Sequence, residues 1–142
     1  MNVIIPHNLF DTHKILFKKP VENKIKCYNY FYRILYNDTF FTSRNIILSL
    51  PLYFVTTHYN NNVYHISFSN ELLNSLLHIE TDILNNINNI TNKTMERLLF
   101  NELNHKRYVF HLNKQPELLL LRISGIWESR EKIGITYKWI HH

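Results

Sequence analysis

Six apolar residues, Leu73, Leu76, Leu77, Ile83, Leu84 and Ile87, recur at the three-and-four spacing that puts side chains on one face of a helix. Nothing else in the chain constrains its folding as tightly, because a stripe of that length has to be buried against another element. Ser69 stands just ahead of it, where a hydroxyl oxygen accepts one of the free N–H groups of the first turn. A second stripe, Met95, Leu98, Leu99 and Leu103, predicts a shorter helix beginning near Thr91 or Asn92.

The partners for both stripes lie on either side in sequence. Ahead of Ser69 come four β-prone runs, Lys14 to Phe17, Lys24 to Tyr36, Arg44 to Phe54 and Val63 to Phe68, separated by the turn-formers Lys19-Pro20, Asn37-Asp38 and Asn60-Asn61-Asn62. Pro51 cannot donate to a ladder, so the third run is either two strands or an edge strand. After the helices come Arg107 to Leu112, Glu117 to Trp127 and Lys132 to Ile140, the last two forming a hairpin with Glu128 to Glu131 as its loop. Within it Ile133, Ile135, Tyr137 and Trp139 alternate with Lys132, Gly134, Thr136 and Lys138, as a half-buried strand requires. The expected fold is α+β: a curved antiparallel sheet or a partly open OB-like barrel, with two consecutive helices inserted before the terminal strands. At 142 residues, one single domain spanning residues 1–142 is expected.

Composition removes several classes. With 45% hydrophobic and 19% charged residues the chain is too apolar for a disordered tail. The longest apolar run, Leu118 to Leu121, falls far short of the ~20 residues that cross a bilayer, and no leader-like pattern opens the sequence, so no membrane association is expected. The single cysteine, Cys27, has no internal disulfide partner, which points to an intracellular protein of nucleus or cytoplasm; an exposed Cys27 would link two chains into a homo-oligomer. None of the nine histidines shows paired-ligand spacing, and two glycines are too few for a phosphate-binding loop or a nucleophile elbow. Glu80 and Asp82 read as solvated positions on a helix. No enzymatic activity, no metal and no cofactor are expected.

Charge follows the elements. Residues 1–69 carry seven basic and three acidic side chains, 70–104 two and five, and 105–142 seven and three, so the strands are basic and the helices acidic. A sheet with one positive surface attracts polyanions, because Lys and Arg displace the counterions condensed on a phosphate backbone. Aromatic residues narrow this to single-stranded nucleic acid, whose bases stack on flat rings set among cations. In the Lys24 to Tyr36 run, Lys24, Lys26, Tyr28, Tyr30, Tyr32 and Tyr36 share one face, and Ile25, Cys27, Phe31, Arg33 and Leu35 the other. A second basic and aromatic cluster comprises Lys106, Arg107, Arg122, Trp127, Lys132, Lys138 and Trp139, with Trp127 read as a core anchor. Gly125 and Gly134, both in the hairpin, mark a bulge, a bend or a close backbone approach.

The Tyr30-Phe31-Tyr32-Arg33-Ile34-Leu35-Tyr36 strand, the Ile46 to Leu52 run with its proline, the helical insertion and the Gly125-Ile126-Trp127 and Gly134-Ile135-Thr136-Tyr137-Lys138 hairpin together resemble the single-stranded-DNA-binding proteins of large eukaryotic DNA viruses. Those proteins are similar to OB-fold proteins, whose curved barrels hold single strands in a groove. The resemblance spans the chain from about Lys24 onward and implies coating of single-stranded DNA during viral replication, carried by Tyr30, Tyr32, Arg33, Lys132, Tyr137 and Lys138. Exposed tyrosines and tryptophans also anchor protein interfaces, so the alternative is a protein-interaction or virion-structural module.

Overall fold

The computed structural model describes residues 3–22, 29–51, 55–60, 63–105, 108–110 and 119–141. In chain order the elements are β1 (Ile4–Pro6), β2 (Ile15–Phe17), β3 (Val21–Glu22), β4 (Tyr30–Asn37), β5 (Thr42–Ser43), β6 (Ile46–Leu50), β7 (Val55–Asn60), β8 (Val63–Phe68), α1 (Asn70–Thr91), β9 (Thr94–Glu96), α2 (Leu98–His105), β10 (Tyr108–Phe110), β11 (Leu119–Glu128) and β12 (Lys132–His141). Among the described residues nine strands form one sheet in the order β1-β6-β11-β12-β9, with β2, β3 and β5 joined to it through β4, while β10-β8-β7 form a second sheet.

This is an α+β fold, but its main sheet is mixed where a purely antiparallel one is expected. β1 runs parallel to β6 and β9 parallel to β12. Both edge strands are separated from their partners by long stretches of chain, and only a tight turn enforces antiparallel pairing. β1 and β9 end the sheet without meeting, so it is not closed into a barrel among the described strands. Pro51 follows β6 directly, ending that strand as its missing N–H requires.

α1 begins as its sequence dictates: Ser69 Oγ accepts the Leu72 N–H at 3.2 Å, and the Ser69 carbonyl accepts the Leu73 N–H at 3.0 Å. It ends at Asn92, whose φ of 51° is the left-handed conformation that closes helices. The chain does not then resume as a helix at once. Thr94–Glu96 pair with Lys132–Gly134, and the Thr94 N–H donates to the Glu131 carbonyl at 3.0 Å. Met95, assigned to a helix by its spacing, therefore lies in a strand. Three residues are too few to satisfy their own backbone groups as helix, and the hairpin edge supplies partners directly.

β11 organises the sheet. It pairs along its whole length with β12, over Leu119–Ile123 with β6, and over Gly125–Glu128 with β4. The register shifts between Ile123 and Gly125, leaving Ser124 as the extra residue of a bulge. Each bulge residue reverses the alternation, so Leu119, Leu121 and Ile123 face the core before it and Ile126 and Glu128 after it. On that side Ile34, Ile46, Leu48, Ile133, Ile135 and Trp139 join Leu76, Ile83 and Leu84 of α1 and Leu99 of α2 in one buried cluster.

Candidate nucleic-acid interface

The helices occupy one side of the sheet, and side chains of opposite parity form its other side. Cross-strand partners share a face, so the register places Arg122 beside Lys138, Arg33 beside Gly125 and Thr136, and Phe31 beside Trp127 and Gly134. Lys132 occupies the corresponding outward position at the start of β12. Arg33, Lys132 and Lys138 are exposed and Arg122 is half-buried. Among the described residues no carboxylate stands at an outward position of β4, β6, β11 or β12.

Two cations elsewhere in the described residues are held in ion pairs. Lys14 pairs with Asp38 and Lys93 with Glu128, both at 3.0 Å. Arg97 donates through Nε to Thr81 Oγ1 at 3.1 Å. Arg33, Arg122, Lys132 and Lys138 form no ion pair with a described residue. Like charges set directly across two strands destabilise the sheet, so the Arg122–Lys138 pair carries a repulsion that an anion placed between them would relieve.

Both glycines serve this face. A Cβ on Gly134 would lie 2.4 Å from Cζ2 of Trp127, and one on Gly125 would lie 2.5 Å from Cζ of Phe31 and 2.3 Å from the Tyr32 carbonyl oxygen. The two rings thus lie across the bare backbone of neighbouring strands, held against the sheet between the cations. Trp127, expected in the core, is placed outward because the Ser124 bulge reverses the parity it shares with Leu119, Leu121 and Ile123. The end of this face nearest β1 is closed: Leu120 and Ile47 are buried yet lie outside the helix-side cluster.

The sequence-predicted residues divide between the two sides. Arg33, Arg122, Lys132 and Lys138 come together on the outward face. Tyr32, Tyr137 and Trp139 face the other way, contrary to the grouping expected for them. Tyr32 packs on the core and donates its hydroxyl to Glu128 Oε1 at 3.2 Å, Tyr137 donates to Glu102, and Trp139 stacks on Phe68 with centroids 5.7 Å apart. Burial first, then the Glu128 carboxylate, hold the Tyr32 phenol above its ordinary pKa, so it stays a neutral donor. Tyr30 pairs with Glu128 on the same side, exposed at the start of β4, and Tyr36 is buried between Phe10 and Phe41. The reason is parity: spacing states that Tyr30, Tyr32 and Tyr36 share a face, but burial of Ile34 among them makes it the inner one. Lys24, Lys26, Tyr28, Lys106 and Arg107 lie outside the described residues.

Phe31 was legible only as the neighbour of Arg33 on the face expected to be hidden. Glu80 departs further from expectation, since it is wholly buried rather than solvated. Its two oxygens accept the N–H groups of Leu99 and Phe100, each at 3.0 Å, and so close the first turn of α2 from α1. Burial raises its carboxyl above the ordinary value, against the opposing pull of those N–H groups and of Arg97. The unfolded chain therefore ionises first as pH rises. The stability contributed by Glu80 is complete below the ordinary Glu pKa and declines as pH rises through the raised one. Denaturant midpoints measured across that interval should fall in the native protein, and this part of the slope should vanish in Glu80→Gln.

Among the described residues no group of three or more His, Cys, Asp or Glu is arranged to hold a metal ion, and no helix is long and apolar enough to cross a membrane. Compared with known proteins, the chain matches no family model, no curated protein and no solved structure.

Proposed function

We propose that the outward face of the sheet binds single-stranded nucleic acid, in keeping with DNA, with little regard to sequence. The observation that carries this reading is the Arg122–Lys138 cation pair, without an ion-pair partner among the described residues, with Arg33 on the next strand and the Phe31 and Trp127 rings alongside. Phosphates bridge the cations, relieving their repulsion, while bases stack on the rings at about 1–3 kcal/mol each. In this reading the open, bulged sheet takes the part of the OB-fold groove in the viral proteins the sequence resembles, and the protein coats single strands inside the cell during viral replication.

Three phosphate contacts, from Arg33, Arg122 and Lys138, give a log affinity against log salt slope of about −2 for a single strand. Fluorescence anisotropy of a labelled oligothymidylate at several salt concentrations reads this directly. Arg122→Glu combined with Lys138→Glu should weaken binding roughly a hundredfold at low salt and flatten the slope, with the circular dichroism spectrum unchanged. Retained affinity in that folded variant would overturn the assignment.

A second reading has its own observation. Val21 and Leu16, 66% and 50% exposed, pair with Phe31 and Leu35 at the margin of this face, and an apolar margin suits a protein partner in a virion-structural or interaction role. Salt separates the two, because an apolar contact survives 0.5 M salt whereas the phosphate contacts do not.

A further inference from the structure

At the opposite edge of the sheet a cavity of about 400 Å³ opens where β9, α1, α2 and the start of β12 meet. Its volume lies within the range of small-molecule sites, and like them it is lined by apolar residues, Leu77, Met95 and Phe100, together with a few polar groups. Two of those groups are cations, Arg97 and Lys132, set against one carboxylate, Glu96.

Arg97 is fixed before any ligand arrives. Its carbonyl accepts the Asn101 N–H at 3.0 Å, the first turn of α2, and its Nε is held by Thr81 Oγ1 at 3.1 Å. That leaves both terminal NH₂ groups without a hydrogen-bond partner among the described residues, in the planar geometry that grips phosphate oxygens. Lys132 is exposed and forms no ion pair with a described residue. Glu80 lies near enough for Arg97 to act on its charge, but its two oxygens are bonded to the Leu99 and Phe100 N–H groups rather than to the guanidinium.

We propose that this cavity binds a small aromatic phosphate monoester with the chemistry of a nucleoside monophosphate. The phosphate sits between Arg97 and Lys132, the base lies on Met95 and Phe100, and Glu96 accepts from a sugar hydroxyl. The same chemistry is presented by a free mononucleotide and by the 5′-phosphorylated end of a strand. The site shares Lys132, Thr94 and Glu96 with the outward sheet face, none of them among the three phosphate contacts assigned there, and it stands whether or not that face binds nucleic acid.

Isothermal titration calorimetry at low salt tests it with thymidine 5′-monophosphate against thymidine, and with a 5′-phosphorylated oligothymidylate against its 5′-hydroxyl form. Saturable binding of the monophosphate but not of thymidine, weakened at least about tenfold by Arg97→Met, supports a free mononucleotide as ligand. A preference confined to the phosphorylated oligonucleotide supports the strand end. Should Arg97→Met fail to fold, Lys132→Met, at an exposed position, decides with the same expected loss. If neither phosphorylated probe binds better than its unphosphorylated counterpart, or if the folded variants bind as the native protein does, the proposal is overturned. Arg122→Glu with Lys138→Glu leaves monophosphate binding intact, which distinguishes failure of this site from failure of the sheet face.

Discussion

Glu80→Ala is expected to lose about 2–4 kcal/mol of folding stability, the largest effect of any single polar replacement in the described residues. The carboxylate is completely buried and joins the two helices: it projects from α1 and accepts the Leu99 and Phe100 N–H groups at the start of α2. Alanine leaves both donors unsatisfied, one of them on a residue only 1% exposed, and opens a void that water cannot fill on equal terms. Glu80→Gln keeps one acceptor and turns an NH₂ toward the other donor, so its loss should be roughly half as large. Urea unfolding followed by far-ultraviolet circular dichroism measures both. An alanine variant as stable as the native protein would show that α2 holds its position without this contact.

Gly125→Ala and Gly134→Ala should differ sharply although each adds one methyl group to the same face. At Gly125 the new Cβ meets the Tyr32 carbonyl oxygen at 2.3 Å, part of the β4 backbone, which cannot yield without breaking the β4–β11 ladder. A loss of about 3 kcal/mol or more is expected. At Gly134 the nearest three atoms all belong to the Trp127 indole, which can rotate away. That variant should lose about 1 kcal/mol, shift the tryptophan emission as Trp127 leaves the sheet, and weaken oligothymidylate binding by one stacking contact. Equal losses at the two positions would show that the backbone at Gly125 accommodates a side chain after all.

Trp127 shows where reading the sequence stops. Its parity with Leu119, Leu121 and Ile123 argues for the core, and no residue type announces that Ser124 is inserted as a bulge; the shift exists only because β12 offers one residue fewer across that stretch. The tyrosines of β4 fail for a related reason. Two faces both containing rings look alike in sequence, and the choice between them depends on which side α1 and α2 cover. Met95 shows the third limit, since its helical spacing to Leu98 and Leu99 lost to strand pairing with a segment 38 residues later, Ile133.

By itself the sequence determined the α+β class, the capped start of α1 at Ser69, the break at Pro51, the terminal hairpin with its alternation of Ile133, Ile135 and Trp139 against Lys132 and Lys138, and the gathering of positive charge on strands. All of these are local: they follow from side-chain periodicity, from a hydroxyl beside free N–H groups, and from a proline without a donor. The tertiary structure decided the mixed order of the sheet, which face the helices cover, the meeting of Arg33, Arg122 and Lys138, the burial of Glu80 at the start of α2, and the cavity beside Arg97. Those depend on contacts between residues distant in the chain, whose free energies are set by the register and packing of whole elements and are not encoded in any short stretch of residues.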